Sequence, residues 1–231
     1  MICVLVVLFA VNNDTYAQDE SSERISLSLD VASGFVWRGQ SLNASPVIQP
    51  EIALNFGNFS VGTWASTPFV AGNYKELDLF VNYQFTPSFS IGITNYFEYN
   101  NSWNYFDFKK DNTGHSFDLQ LMYEGDNGFK AMVSTIIAGA DLNDKGDSNF
   151  STYLEVGYGN SFNGVDWDFC LGFVPMASDF YLIEKANVVN LSFGVYKSFV
   201  ITPTYSLPLS LQFTVNPALK AAFLTAAIKL F

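Results

Sequence analysis

The sequence is poor in positive charge. Its 231 residues carry 11 Lys and Arg against 22 Asp and Glu, a net charge of −11. Arginine occurs only at Arg24 and Arg38, and the single histidine is His115. A nucleic-acid partner needs a basic face, so that class is excluded. Cysteine is nearly absent, with only Cys3 and Cys170. Cys3 falls in residues 1–17, which read as a secretory signal peptide. Ile2–Val11 is a short apolar stretch, and Thr15-Tyr16-Ala17 places a small residue before Gln18. The remaining 18–231 keeps Cys170 alone, so neither an intramolecular disulfide nor a cysteine metal site can form. Long apolar runs are also missing. No stretch reaches the roughly 18 apolar residues of a membrane-crossing helix. Charged residues make up only 14% of the chain, well below the roughly 25% of an ordinary soluble domain.

Aromatic residues are abundant, at 17% with 23 Phe and 12 Tyr. They recur with period two. Ile25, Leu27, Leu29 and Val31 alternate with Ser26, Ser28 and Asp30. Leu77, Leu79, Val81, Tyr83 and Phe85 alternate with Glu76, Asp78, Asn82 and Gln84, and similar patterns recur to the end of the chain. Period-two alternation marks a strand with one apolar face. About twelve such segments are spaced along the chain, close to the 9–11 residues a tilted membrane strand needs. They fall at 24–38, 46–56, 59–67, 75–85, 88–99, 115–124, 129–139, 149–160, 165–174, 187–200, 206–215 and 219–231. Short turns such as Gly57-Asn58 and Asn163-Gly164 alternate with longer polar loops at 39–45, 68–74, 100–114, 140–148 and 175–186. The expected fold is therefore all-β, a transmembrane antiparallel up-and-down β-barrel of about 12 strands, forming one domain over 18–231. A secreted sandwich or lipocalin-like barrel is the alternative. The expected location is the bacterial outer membrane. The expected partners are its lipid, small solutes and, during biogenesis, the barrel assembly machinery that reads a terminal aromatic such as Phe231. Lys229 departs from that signal, because its position there is usually hydrophobic.

The N-terminal third carries a set of short motifs. Phe35-Val36-Trp37-Arg38-Gly39 is followed by Pro46-Val47-Ile48-Gln49-Pro50, then Gly62-Thr63-Trp64, then Glu76-Leu77-Asp78-Leu79-Phe80. Over roughly residues 24–99 this series resembles the TorF-type porins, bacterial proteins long described as of unknown function. The resemblance implies an outer-membrane barrel with a pore role and no assigned substrate.

Alternation gives a candidate site. Arg38 ends the first expected strand on its polar face. Gln49, Glu51, Trp64, Glu76 and Asp78 face inward on the next three strands, and Asp118 could join from across the barrel. The expectation is one patch in the outer half of the lumen, with Gln49, Glu51, Glu76 and Asp78 as neighbours of Arg38. Two roles are open for it. It ties strands by charge-assisted hydrogen bonds, or it forms a constriction that sorts solutes. The acidic excess favours neutral or cationic solutes. The function expected is a narrow porin or diffusion channel. A plugged structural or surface-binding barrel is the second reading, and a lipid-modifying enzyme using His115 the third. His115 and Ser116 are adjacent on a strand and point to opposite faces, so no catalytic pair is expected. No cofactor and no metal cluster is readable. The stretch Asp141–Asp147 has a calcium-loop look, but Lys145 stands where an oxygen ligand belongs. The aromatic run 96–108, including Trp103, reads as girdle and external loop, with a sugar-stacking platform as the alternative.

Overall fold

The computed structural model describes residues 24–99, 104–110 and 112–231. Residues 1–17, expected to be a signal peptide, and Trp103 lie outside the described residues. Twelve strands close an antiparallel barrel in which each strand pairs with its neighbours along the chain. They are β1 (Ile25–Ala32), β4 (Val47–Phe56), β5 (Phe59–Pro68), β6 (Glu76–Thr86), β7 (Phe89–Glu98) and β8 (His115–Glu124), continuing with β9 (Phe129–Gly139), β10 (Thr152–Phe162), β11 (Val165–Val174), β12 (Asn187–Thr202), β13 (Tyr205–Asn216) and β14 (Ala221–Lys229). β14 returns to pair with β1. The alternation of apolar and polar residues is what selects this arrangement. Leu27, Leu54, Val81, Leu121 and Phe213 stand exposed on the outside, while Ser28, Asp78, Gln120 and Thr214 are buried inside.

The first strand is shorter than expected. β1 ends at Ala32, and residues 33–46 form a separate hairpin of β2 (Phe35–Trp37) and β3 (Gln40–Asn43). The expected continuous strand 24–38 is thus corrected. The cause lies at Ser33-Gly34, where the chain leaves the wall: the position of a Gly34 Cβ lies 2.9 Å from the Asn43 carbonyl oxygen. The hairpin turns at Arg38-Gly39, with φ of 46° and 82°. Two consecutive left-handed residues between the paired Trp37 and Gln40 make a type I′ turn, whose twist suits a two-residue hairpin. The same turn type, with Asn163 and Gly164 at φ of 53° and 70°, joins β10 to β11 at the opposite end. The turn ends of the barrel are therefore tight, and the other end carries the hairpin and the longer loops.

The β2–β3 hairpin folds inward. Phe35, Trp37, Arg38, Gln40 and Asn43 are all buried. The apolar cluster they join contains Trp64 from β5, Tyr96 from β7, Tyr153 from β10, Val189 from β12, and Tyr181 and Ile183 from the loop after β11. The core thus sits inside one end of the lumen, filled by inserted chain. Toward the other end some inward positions are glycines: Gly92 on β7, Gly157 and Gly159 on β10, and Gly194 on β12.

Candidate functional site

Arg38 sits at the tip of the hairpin, and its guanidinium is held on every side. Nη2 donates to Asp118 Oδ2 at 2.8 Å, and Nη1 donates to the Tyr181 hydroxyl at 2.6 Å. The Trp37 and Tyr153 rings lie 4.5 and 4.7 Å from the guanidinium carbon, within cation–π range. Arg38 Nε has no hydrogen-bond partner among the described residues. Burial opposes the charge, but Tyr181 and Asp118 outweigh it and hold Arg38 well above the ordinary arginine pKa. Burial likewise pushes the Tyr181 hydroxyl up, with Arg38 opposing.

Asp118, on β8, gathers further donors. Tyr96 Oη and Gln120 Nε2 each donate to Oδ2 at 2.9 Å, and Ser134 Oγ donates to Oδ1 at 2.5 Å. Asp118 is fully buried and forms the ion pair with Arg38. A buried pair of this kind depends on further hydrogen bonds, here those to both Asp118 oxygens and from Arg38 Nη1.

The rest of the hairpin reaches the wall elsewhere. Phe35 packs on Trp64 with ring centroids 5.3 Å apart, and Trp37 stacks on Tyr181 at 5.8 Å. Asn43 Nδ2 donates to the Tyr74 carbonyl at 2.7 Å, and Gln40 Nε2 to the Phe180 carbonyl at 3.2 Å. Asn216 Nδ2, on β13, donates to the Gly39 carbonyl at 3.1 Å. At Gly39 a Cβ would stand 1.9 Å from the Val189 carbonyl oxygen on β12. The hairpin therefore spans the lumen from β5 to β8 on one side and to β12 and β13 on the other. The loop 175–186 completes the closure. It is pinned by paired backbone bonds between Ser178 and Ile183, and by a 2.6 Å bond between the Ser178 and Ser151 hydroxyls.

The expected single patch divides in two. Arg38 and Asp118 come together. Gln49, Glu51, Glu76 and Asp78 are not the hydrogen-bond or ion-pair partners of Arg38, because the chain leaves the wall at Ser33 and carries Arg38 across the lumen. Those four, with Trp64, share the wall of β4, β5 and β6. Gln49 Nε2 donates to Ser66 Oγ at 3.4 Å. Trp64 pairs with Glu51 on one side and Asp78 on the other. Tyr74 donates its hydroxyl proton to Glu76. Tyr74 itself, in the loop before β6, has its ionisation pushed up by burial and by Glu76. Glu51 is half-buried beside Asp30 and Lys229. Lys229 pairs directly with Asp30 across the β1–β14 seam, which accounts for a lysine where the terminal signal has an apolar residue.

Tyr96, Tyr153, Ser134 and Tyr181 lie against Arg38 or Asp118 but are absent from the expected patch. Tyr96 was readable, because Gly92, Thr94 and Tyr96 alternate with Ile91 and Ile93. Tyr181 lies in a loop and carries no sequence signal. His115 faces away from Ser116. Its Nδ1 lies 3.0 Å from Asn95 Oδ1, its Nε2 lies 2.6 Å from the Tyr105 carbonyl, and Phe108 stacks on its ring at 4.5 Å. In the calcium-like loop, the Asp141 carboxylate accepts from Ser151 Oγ at 2.6 Å and Ser151 N at 2.8 Å. Among the described residues no group of three or more His, Cys, Asp or Glu is placed to hold a metal. Toward the turn end, a cavity of about 40 Å³ is lined by Met122, Glu124, Lys130, Met132, Glu155 and Asp168, among others. Tyr153 donates to Glu155 at 2.5 Å and Tyr196 to Asp168 at 3.0 Å.

No family model matches the chain, and no curated protein matches it in sequence. The TorF-type resemblance rests on its motifs alone. Among solved structures, the NanC porin in a rhombohedral crystal form is 10% identical, with 87% of this chain and 97% of that chain covered and a TM-score of 0.48. A chain from work on the mechanism behind in-meso crystallization of membrane proteins is 8% identical, with 89% and 82% covered and a TM-score of 0.45. Likeness this distant bears on no function, and the barrel stands on its own strand pairing.

Proposed function

We propose that this chain is an outer-membrane barrel of porin type, held shut at its loop end by the β2–β3 hairpin, that passes small neutral or cationic solutes when the hairpin withdraws. The observation that carries this is the inversion of the barrel. Apolar side chains cover its outside, as a lipid-facing wall requires, and polar and acidic side chains line its inside. Glu51, Glu124, Glu155 and Asp168 on the lining repel anions, with Lys130 and Lys229 as the minority charge. Arg38 and Asp118 are the latch. Gln49, Glu51, Trp64, Glu76 and Asp78 form the stretch of wall a solute would pass once the latch is undone, and thus the selectivity region. The residues of the apolar band contact outer-membrane lipid, and the assembly machinery inserts the chain.

A second reading is favoured by one observation. The Arg38–Asp118 pair is fully enclosed and multiply bonded, as suits a permanent plug in a structural or surface-binding barrel. Planar-bilayer recording separates the two. The unaltered protein should conduct little. A variant with residues 34–45 replaced by Asn-Gly should conduct, with a reversal potential that favours cations. A replaced variant that migrates as a folded barrel and stays silent would defeat the channel reading in favour of the plug.

A further inference from the structure

The Glu76–Asp78 wall holds an imbalance that the latch does not explain. Both side chains are buried, Asp78 completely. Their carboxyl groups lie within hydrogen-bonding reach of each other. Apart from that contact with Glu76, neither oxygen of Asp78 has a hydrogen-bond partner among the described residues. Arginine is the residue best suited to neutralise such a site, but Arg24 is exposed just before β1 and Arg38 is engaged by Asp118 and Tyr181. Taking a carboxylate out of water costs several kcal/mol unless charge or donors replace the lost hydration. Buried polar groups are nearly always satisfied, so two buried carboxyl groups of which one has only the other as partner offer a place for a further partner.

The surroundings define that partner. Glu98 pairs with Glu76 across β6 and β7, and Tyr96 pairs with Asp78. Ser66 pairs with Glu76 on the other side, and Gln49 donates to Ser66. The Tyr74 hydroxyl closes over Glu76. All of these polar side chains present oxygen, and none brings positive charge. Hard cations of the alkali and alkaline-earth series take oxygen donors of this kind, carboxylates supplemented by neutral hydroxyl and carbonyl groups. Softer transition metals call for imidazole or thiolate, and none is present on this wall.

We propose that the Glu76–Asp78 pair is the site of a small hard cation, Na⁺, Ca²⁺ or Mg²⁺, enclosed between the β5–β6 wall and the base of the β2–β3 hairpin. The hairpin is part of the enclosure. Phe35 packs on Trp64 at 5.3 Å and on Tyr74 at 6.4 Å, and Asn43 is bonded to the Tyr74 carbonyl. A cation between the carboxyl groups removes their repulsion and lets this side of the hairpin seat. The proposal does not depend on conductance: a barrel that never conducts can bind the ion, and a conducting one can lack it.

The test is thermal unfolding of the folded, detergent-solubilised protein at pH 7.5, followed by circular dichroism. CaCl₂, MgCl₂ and NaCl are titrated against choline chloride at matched ionic strength. At least one inorganic cation should raise the unfolding midpoint along a saturating curve, while choline, too large to enter, should not. Asp78→Asn should fold without the ion, because its new amide group can donate to Glu76, and it should lose the cation response. Glu184→Gln, on the exposed loop, should respond like the unaltered chain. Equal midpoints in all four salts would overturn the proposal, as would a response that survives Asp78→Asn. A midpoint that rises on acidification and ignores every cation would also overturn it, showing that the partner is a shared proton.

Discussion

At the scale of single residues, the Arg38–Asp118 pair is unequal in its dependence. Asp118 keeps donors from Tyr96, Gln120 and Ser134 when Arg38 is removed. Arg38 keeps only the Tyr181 hydroxyl and two ring faces when Asp118 is removed. Asp118→Ala should therefore cost about 3–5 kcal/mol, the range for orphaning a buried charge. Arg38→Met should cost less. Urea unfolding in lipid vesicles checks the order, and a larger loss for Arg38→Met would refute it. Gly39 is the other sensitive position. Its φ is +82°, and an added Cβ would collide with the Val189 carbonyl. Gly39→Ala should unseat the hairpin tip and raise bilayer conductance above that of the unaltered protein. Of these residues, Arg38 and Asp118 were legible as inward-facing charges. Their pairing was not, because alternation reports which face a residue occupies and says nothing of chain that leaves the wall. Tyr181, which sits in irregular chain, had no periodicity to betray it.

At the scale of elements, the hairpin is where reading by period two failed. Phe35-Val36-Trp37 alternates just as a continuation of β1 would, so the pattern carries straight through the break at Ser33-Gly34. The turn chemistry was also concealed. Asn163-Gly164 announces a type I′ turn, whereas Arg38 is an unusual residue at positive φ and is held there by its salt bridge. The hairpin's other anchor is Trp37, set between Tyr96, Phe180 and Tyr181. Trp37→Ala removes the ring that fills this space, and the tip should swing free. Trypsin cuts after arginine, so limited proteolysis should then cleave at Arg38, which the unaltered protein protects. Continued protection in Trp37→Ala would show that the ion pair alone seats the hairpin.

At the scale of the molecule, twelve strands and their short and long connections were readable because each wall strand is amphipathic and each tight turn carries its own residues. What alternation does not reveal is the relative strength of the joints. β1 meets β4 through eight register pairs, and β12 meets β13 through eleven, but β1 meets β14 through three. Backbone bonds from Leu29 to Phe231, Leu230 to Leu29 and Ser33 to Ala226 add to that seam. Amides of β14 and the adjoining side of β1 should exchange with deuterium before those of β12 and β13, since local opening follows the sparsest hydrogen bonding. Uniform exchange around the barrel would contradict this. The hairpin has a consequence for the order of assembly. It emerges early in the chain, yet its tip rests on Val189 and on Asn216, 177 residues beyond Gly39. It cannot dock until the last strands arrive, so contacts of the longest range form last and folding should end in a slow step. Until then the nascent sheet carries Arg38 without its final setting, and the strands must curl shut around a segment already waiting inside them.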